Sequence, residues 1–267
     1  MKTYTQEWLR LKISQRLLPA MIMSITVFLL AASPGCKDST TEPNTSGQIS
    51  MTRKYSPTDS PSGSVGTMVP TEIAAGSVAI DSLRITRARF VLRDIKYKTQ
   101  SDSANFRAAP FVLELNLSSA IQDISVADVP FGTYRRIEFD VHRINTNDVS
   151  PLPASEQAQF QDFLAGDRYS IIVSGTTYTG GQATAFTFRS RVNVKQKIDL
   201  VPEIVVSEPS PAVNATMLIS SGGWFKSSSG ALLDPTDPLN ENTISDNLRA
   251  SIKVFKDNNK DGSKDAN

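Results

Sequence analysis

Pro130-Phe131-Gly132-Thr133-Tyr134-Arg135-Arg136-Ile137-Glu138-Phe139-Asp140-Val141-His142 carries the clearest structural period in the chain. Ile137, Phe139 and Val141 alternate with Glu138, Asp140 and His142, so one face of an extended segment is apolar and the other polar. Pro130 and Gly132 supply turn chemistry ahead of that segment, and Tyr134 an aromatic side chain to close a core edge. A strand buried on one face needs neighbours of the same kind. Phe111, Leu113, Leu115 and Leu117 alternate with Val112, Glu114 and Asn116. Tyr169 to Tyr178 and Ala183 to Val192 flank Thr179-Gly180-Gly181-Gln182, a hairpin signature. Ile198 to Val206 and Val213 to Ile219 extend the set, which reads as eight or nine strands in all.

The longest extended stretch, Leu83 to Tyr97, breaks the simple pattern. Val91, Ile95 and Tyr97 fall on one alternate set, while Ala88, Phe90 and Leu92 fall on the other. That asks either for a strand covered on both faces or for a bulge that exchanges them. Helical signals are few. Ser155 is placed to cap a short helix in which Phe160, Phe163 and Leu164 share a face. A second helix is expected from about Glu241 to Phe255, with Ile244, Leu248, Ile252 and Phe255 in one stripe packed beside Trp224 and Phe225. The predicted class is mainly β: an antiparallel β-sandwich with one short helix and a C-terminal amphipathic helix.

Ser82-Leu83-Arg84-Ile85 running into Phe90-Val91-Leu92, with Pro130 to Tyr134 ahead of Ile137-Glu138-Phe139, resembles a domain of unknown function that recurs in bacterial lipoproteins. The resemblance covers about residues 48–220 and implies a transthyretin-like or related β-sandwich. It brings no activity and no catalytic residues.

The N-terminus is read as a targeting segment rather than as structure. Lys2, Arg10, Lys12 and Arg16, with Glu7 among them, precede an apolar stretch from Leu17 to Ala32, too short for the roughly 20 residues of a membrane span. Ser33-Pro34-Gly35-Cys36 follows and resembles the end of a lipoprotein signal, in which a small residue precedes the cysteine that is acylated. Residues 1–35 are then a signal peptide and Cys36 the lipidation site. Cleavage near Ala32 would instead leave Cys36 as a free thiol on a flexible tail. From Lys37 to Pro70, 20 of 34 residues are Ser, Thr, Pro or Gly. Such composition buries too little surface to offset its ordering entropy, and residues 36–70 read as a tether reaching roughly 30 Å. Within it Gln48 to Tyr55 alternates apolar and polar residues, and reads either as a first strand or as part of the tether. Residues 71–220 form the sandwich, and residues 221–267 a helix and an Asp/Asn-rich tail packed on the same domain.

Lys and Arg total 28 against 27 Asp and Glu; without residues 1–35 the balance is 24 to 26. A slightly acidic exported chain is not a nucleic-acid binder. One cysteine excludes a disulfide framework, and one histidine leaves a single imidazole for acid–base chemistry. His142 shares its strand face with Glu138 and Asp140, a solvated face in the plainer reading and an acid–base cluster in the sharper one. No nucleophile elbow, phosphate loop or dinucleotide fingerprint is present.

The sharpest motif closes the chain. Asp257, Asn259, Asp261, Ser263 and Asp265 place oxygen side chains at alternate loop positions around Gly262, the spacing of EF-hand, dockerin and thrombospondin-type calcium loops. Lys264 stands where an EF-hand has an apolar residue, and the bidentate glutamate is missing. Weak calcium binding is one reading and a polar tail the other. Arg87, Arg89 and Arg93 concentrate on one side of the long strand, where they either meet an acidic partner or solvate a face. The expected function is a non-catalytic envelope lipoprotein, held in a membrane, expected to be the outer membrane, through acylated Cys36. It would present a binding or adhesion module to an unknown envelope protein or extracellular polymer. The alternative is a periplasm-facing structural or assembly component.

Overall fold

The computed structural model describes residues 45–57, 80–100 and 103–266. The signal peptide, Cys36 and most of the predicted tether lie outside them. The described residues form a mainly β domain of two sheets. In the first, β1 (Ser46–Ser56), β5 (Gln122–Pro130), β10 (Ala212–Ser220) and β11 (Ile252–Lys256) stand in the order β11-β10-β1-β5. The second joins β2 (Ser82–Lys98), β3 (Ser103–Arg107), β4 (Phe111–Glu114), β6 (Gly132–Val141), β7 (Ile171–Thr179), β8 (Gln182–Ser190) and β9 (Val194–Val206). All pairings are antiparallel except β1 with β10, which is parallel.

Residues 46–56 are thus a strand, not tether. β1 lies between β10 and β5, and Ile49 and Met51 are fully buried in the core. Its entry is fixed by Phe131 N–H to the Thr45 carbonyl and by Gln48 N–H to the Pro211 carbonyl. Gly47 is required by close approach: a Cβ there would stand 2.3 Å from the Pro211 carbonyl oxygen.

β2 resolves the conflict of its alternate sets by doing both things the sequence allowed. Along its first half it pairs with β7, and along its second with β6. Val91 marks the hand-over, its N–H donating to Ser170 and its carbonyl accepting from His142. Ala88, Phe90 and Leu92 enter the main core. Val91 faces the other way, into a second cluster with Ile144, Val149, Phe160, Phe163 and Ile172. Then the register shifts between Arg93 and Lys96, with Asp94 at φ 54°, and Ile95 and Tyr97 turn into the main core. The second cluster is roofed by α1 (Thr146–Val149), α2 (Ala154–Gln157), a 3₁₀ turn and α3 (Gln161–Leu164). The single short helix expected here is three short turns. Ser155 lies inside α2, whose cap position is Pro153, while Asn145 and Asp148 form a capping box on α1.

Tyr134 is buried and donates its hydroxyl to the Pro130 carbonyl at 2.8 Å, closing the corner expected of it. α4 (Glu241–Ala250) buries Ile244 and Leu248 in the main core that also holds Trp224 and Phe225. The predicted extension of this helix to Phe255 is not observed. After Ser251 the chain forms β11, in which Ile252 and Val254 are buried and Lys253 is exposed. Ile252 and Phe255 fit a helical stripe, but Ile252 and Val254 fit a period of two equally well. The unpaired edge of β10 then decides the outcome by offering a ladder to the β-branched segment. Val254→Ala should therefore cost about 1–3 kcal/mol and Lys253→Ala less than about 0.5. Thermal melts of the two variants check this, since a helix would expose both positions to similar effect.

Candidate functional site

The chain past β11 folds back onto the outer face of the first sheet. Asp257 is completely buried. One carboxylate oxygen accepts from the Thr216 hydroxyl at 2.5 Å and Gly262 N–H at 2.9 Å, the other from Asp261 N–H at 3.1 Å. Because a carboxylate only accepts, the Thr216 hydroxyl must donate to it. Thr52, 2.6 Å away, must then donate to Thr216, and it receives the Asn214 side-chain amide at 3.1 Å. The same amide nitrogen donates to the Asp257 carbonyl at 2.9 Å, and the Ser50 hydroxyl donates to Asn214 Oδ1 at 2.8 Å. The parallel register sets Ser50 beside Asn214 and Thr52 beside Thr216, which builds this ladder directly into the β1–β10 pairing. It is a directed chain of polar groups, buried from Thr52 to Asp257 and partly open at Ser50.

Of the predicted calcium residues, the structure brings Asp257, Asn259 and Asp261 together through the loop's own amides. Asn259 Oδ1 accepts from Asp261 N–H at 3.3 Å, and Asp261 Oδ1 accepts from Ser263 N–H at 2.7 Å. The Ser263 N–H, followed by the Asn259 side chain, holds the Asp261 carboxyl below its ordinary pKa. Asp265 closes the loop at its base, accepting from Asn258 N–H and donating its own N–H to the Lys256 carbonyl. Gly262 takes φ 75°, as the motif requires of its glycine. Ser263 is exposed. Among the described residues, no three His, Cys, Asp or Glu side chains gather as a ligand set for a metal.

The arginines of β2 are engaged within the chain. Arg87 forms a two-bond fork with Glu114, both at 2.8 Å, which raises the arginine and lowers the glutamate from their ordinary pKa values. Arg89 is buried, donates to Asp162 of α3 at 2.5 Å and lies over the Phe163 ring at 5.2 Å. Arg93 stands among Asp94, Asp140 and Asp148 at 3.4–3.8 Å. Each has an acidic neighbour. His142 does face outward with Glu138 and Asp140, and burial, with Arg93 beside it, pushes its pKa down, so the imidazole is neutral at pH 7. Among the described residues no side chain hydrogen-bonds to it.

An open groove of about 390 Å³ went unnoticed in the sequence. It lies where β1 ends and β2 begins, lined by Tyr55, Leu83, Ile85, Phe225 and Leu232, with Arg84 on its rim. Its residues come from three distant segments, and no local pattern announces it.

Comparison with protein-family models, with curated proteins and with solved structures finds no match to this chain. Its chemistry is therefore argued from the geometry alone. Thr216→Val is the direct test of the ladder. It strips a donor from the buried Asp257 carboxylate and the acceptor from Thr52, and should cost about 1–3 kcal/mol in a denaturant titration. A change below about 0.5 kcal/mol would show that the loop does not depend on the ladder.

Proposed function

We propose that this chain is a non-catalytic envelope lipoprotein, anchored through acylated Cys36, whose β-sandwich serves as a binding or adhesion module. The observation that carries the reading is the place of the sole cysteine, directly after Gly35 at the end of an apolar stretch. An exported chain gains nothing from one unpaired thiol there, whereas acyl chains add about 0.8 kcal/mol per buried methylene, and more than one chain anchors stably. The groove beside Tyr55 supports a binding role. It is of ligand size, mixes apolar side chains with Arg84, Ser221 and Lys226, and sits at the end of β1 opposite the one by which the chain enters the domain. The reading as a periplasm-facing assembly component draws less support. The α4 stripe it would use is occupied, because Ile244 and Leu248 are buried in the domain's own core.

Labelling cells with a radiolabelled fatty acid tests the anchor. The parent chain should carry label and sediment with membranes, and Cys36→Ser should lose both. Membrane association that survives Cys36→Ser, with no label on the parent, would overturn the proposal.

On the same reading the C-terminal loop takes calcium weakly, in the range of about 10⁻⁴–10⁻³ M seen for extracellular modules. The Asp257 contacts to the fifth and sixth loop amides support it, since they set the chain in a turn around Gly262 with Asp257, Asn259 and Asp261 drawn together. At about 10 mM calcium the full chain should melt a few degrees higher. Asp261→Asn should abolish that rise without disturbing the ladder. No rise in the parent chain would end the idea.

A further inference from the structure

The β7–β8 hairpin turns at Gly180-Gly181, whose φ values of 54° and 79° make a two-residue turn. Nine consecutive residues of β8 pair with β7 from Thr179–Gln182 to Ile171–Ser190 without a bulge. Such a turn closes on a hydrogen bond between Thr179 and Gln182, so the main-chain groups of Gln182, Thr184, Phe186, Phe188 and Ser190 point at β7. Those of Ala183, Ala185, Thr187 and Arg189 point away. Among the described residues β7 is the one strand paired with β8, and α4 meets only its last residue, through the Ser190 and Ser245 hydroxyls at 2.7 Å, whereas β9 lies against β11 and β5 against β3. Ala183, Ala185, Thr187 and Arg189 are all exposed. The edge has no proline, no lysine and no bulge, and a single charged residue, Arg189.

We propose that β8 pairs antiparallel with β8 of a second copy of this chain, about a two-fold axis at Phe186. The register selects itself. With the axis at Phe186, Ala185 opposes Thr187 and Ala183 opposes Arg189, so every outward N–H and C=O finds a partner. An axis two residues to either side leaves outward groups of the strand unpaired. The same register handles the charge, since Arg189, the only charged residue of β8, faces alanine rather than its own copy. Phe186 and Phe188 remain in the core against Phe225, with ring centroids 5.5 and 6.0 Å apart, so pairing asks for no rearrangement of the monomer. The pairing does not depend on acylation of Cys36.

Sedimentation of the full chain over a range of concentrations tests this. The parent should show a monomer–dimer equilibrium, and hydrogen exchange at the Ala185 and Thr187 amides should slow as concentration rises. A185K/T187K places like charges in direct opposition twice, and should weaken the dimer by at least about tenfold while leaving the melting temperature unchanged. A185K/T187E sets opposite charges against each other and should restore it. A parent that stays monomeric throughout, or a dimer indifferent to A185K/T187K, would overturn the proposal. Protection of β8 amides only on addition of a foreign extended peptide would also overturn it, and would assign the edge to a different partner.

Discussion

β2 must be buried on both faces at its centre, from Ala88 to Leu92, and on one face beyond it, and the step at Asp94 is what makes this compatible with its sequence. Side chains alternate strictly along a strand, so a register without the step would keep the even-numbered residues facing inward. Asp94, Lys96 and Lys98 would then point into the core where Ile95 and Tyr97 now lie. Burying three charges costs far more than one residue at positive φ, which aspartate tolerates better than most side chains. The change of partner from β7 to β6 comes earlier, at Val91, so β6 accompanies the strand through the step. Tyr97 bears a cost of the arrangement. Its hydroxyl is buried with no partner among the described residues, and burial pushes its pKa up, while its ring packs edge-on against Phe106 and Tyr134.

Two roofs follow from this frame, each held by a carboxylate. Over the second sheet, the α1–α3 cap is tied by Asp162 to the buried Arg89, by Glu156 to Arg107 at 3.1 Å, and by the loose cluster around Arg93. Over the first, the C-terminal loop is tied by Asp257 to Thr216. The two differ in kind. Asp162 is mostly exposed, so solvent screens its pair, and the packing of Phe163 and Val91 holds the cap more than the charge does. Asp257 has no solvent to share. Its charge is carried wholly by hydrogen bonds, and each group in the ladder depends on the next.

Much of the sheet was legible in the sequence because its information is local. The alternation at Ile137, Phe139 and Val141, and the Gly180-Gly181 turn, each state a period and a stop within a dozen residues. The β2 conflict was legible too, as two alternatives that the fold combines. What failed needed distant knowledge. Ile252 and Val254 could not be assigned to a strand without knowing that β10 leaves an edge open there. β5 alternates poorly because its register shifts opposite Met51 and Thr52, and β3 is short and polar. At the candidate site, the oxygen spacing around Gly262 was plain, but its attachment was not. Ser50, Thr52, Asn214 and Thr216 lie on the strand sides turned from the core, and their cover comes about 40 residues after the second pair and about 200 after the first.

The charge count along β2 shows why one-dimensional reading overstates a binding surface. Arg87 and Arg89 form a run with only Asp94 nearby in sequence, yet their partners Glu114 and Asp162 lie 27 and 73 residues away. Once those carboxylates are in place, the run no longer projects the field that its composition suggests. The consequence reaches the whole domain. Arg87, Arg89 and Arg93 each have an acidic neighbour, and the α4 stripe is spent in the core. Among the described residues, neither roof covers the main-chain edge of β8 or the groove beside Tyr55. A contact made at such an edge rests on backbone hydrogen bonding and shape more than on charge.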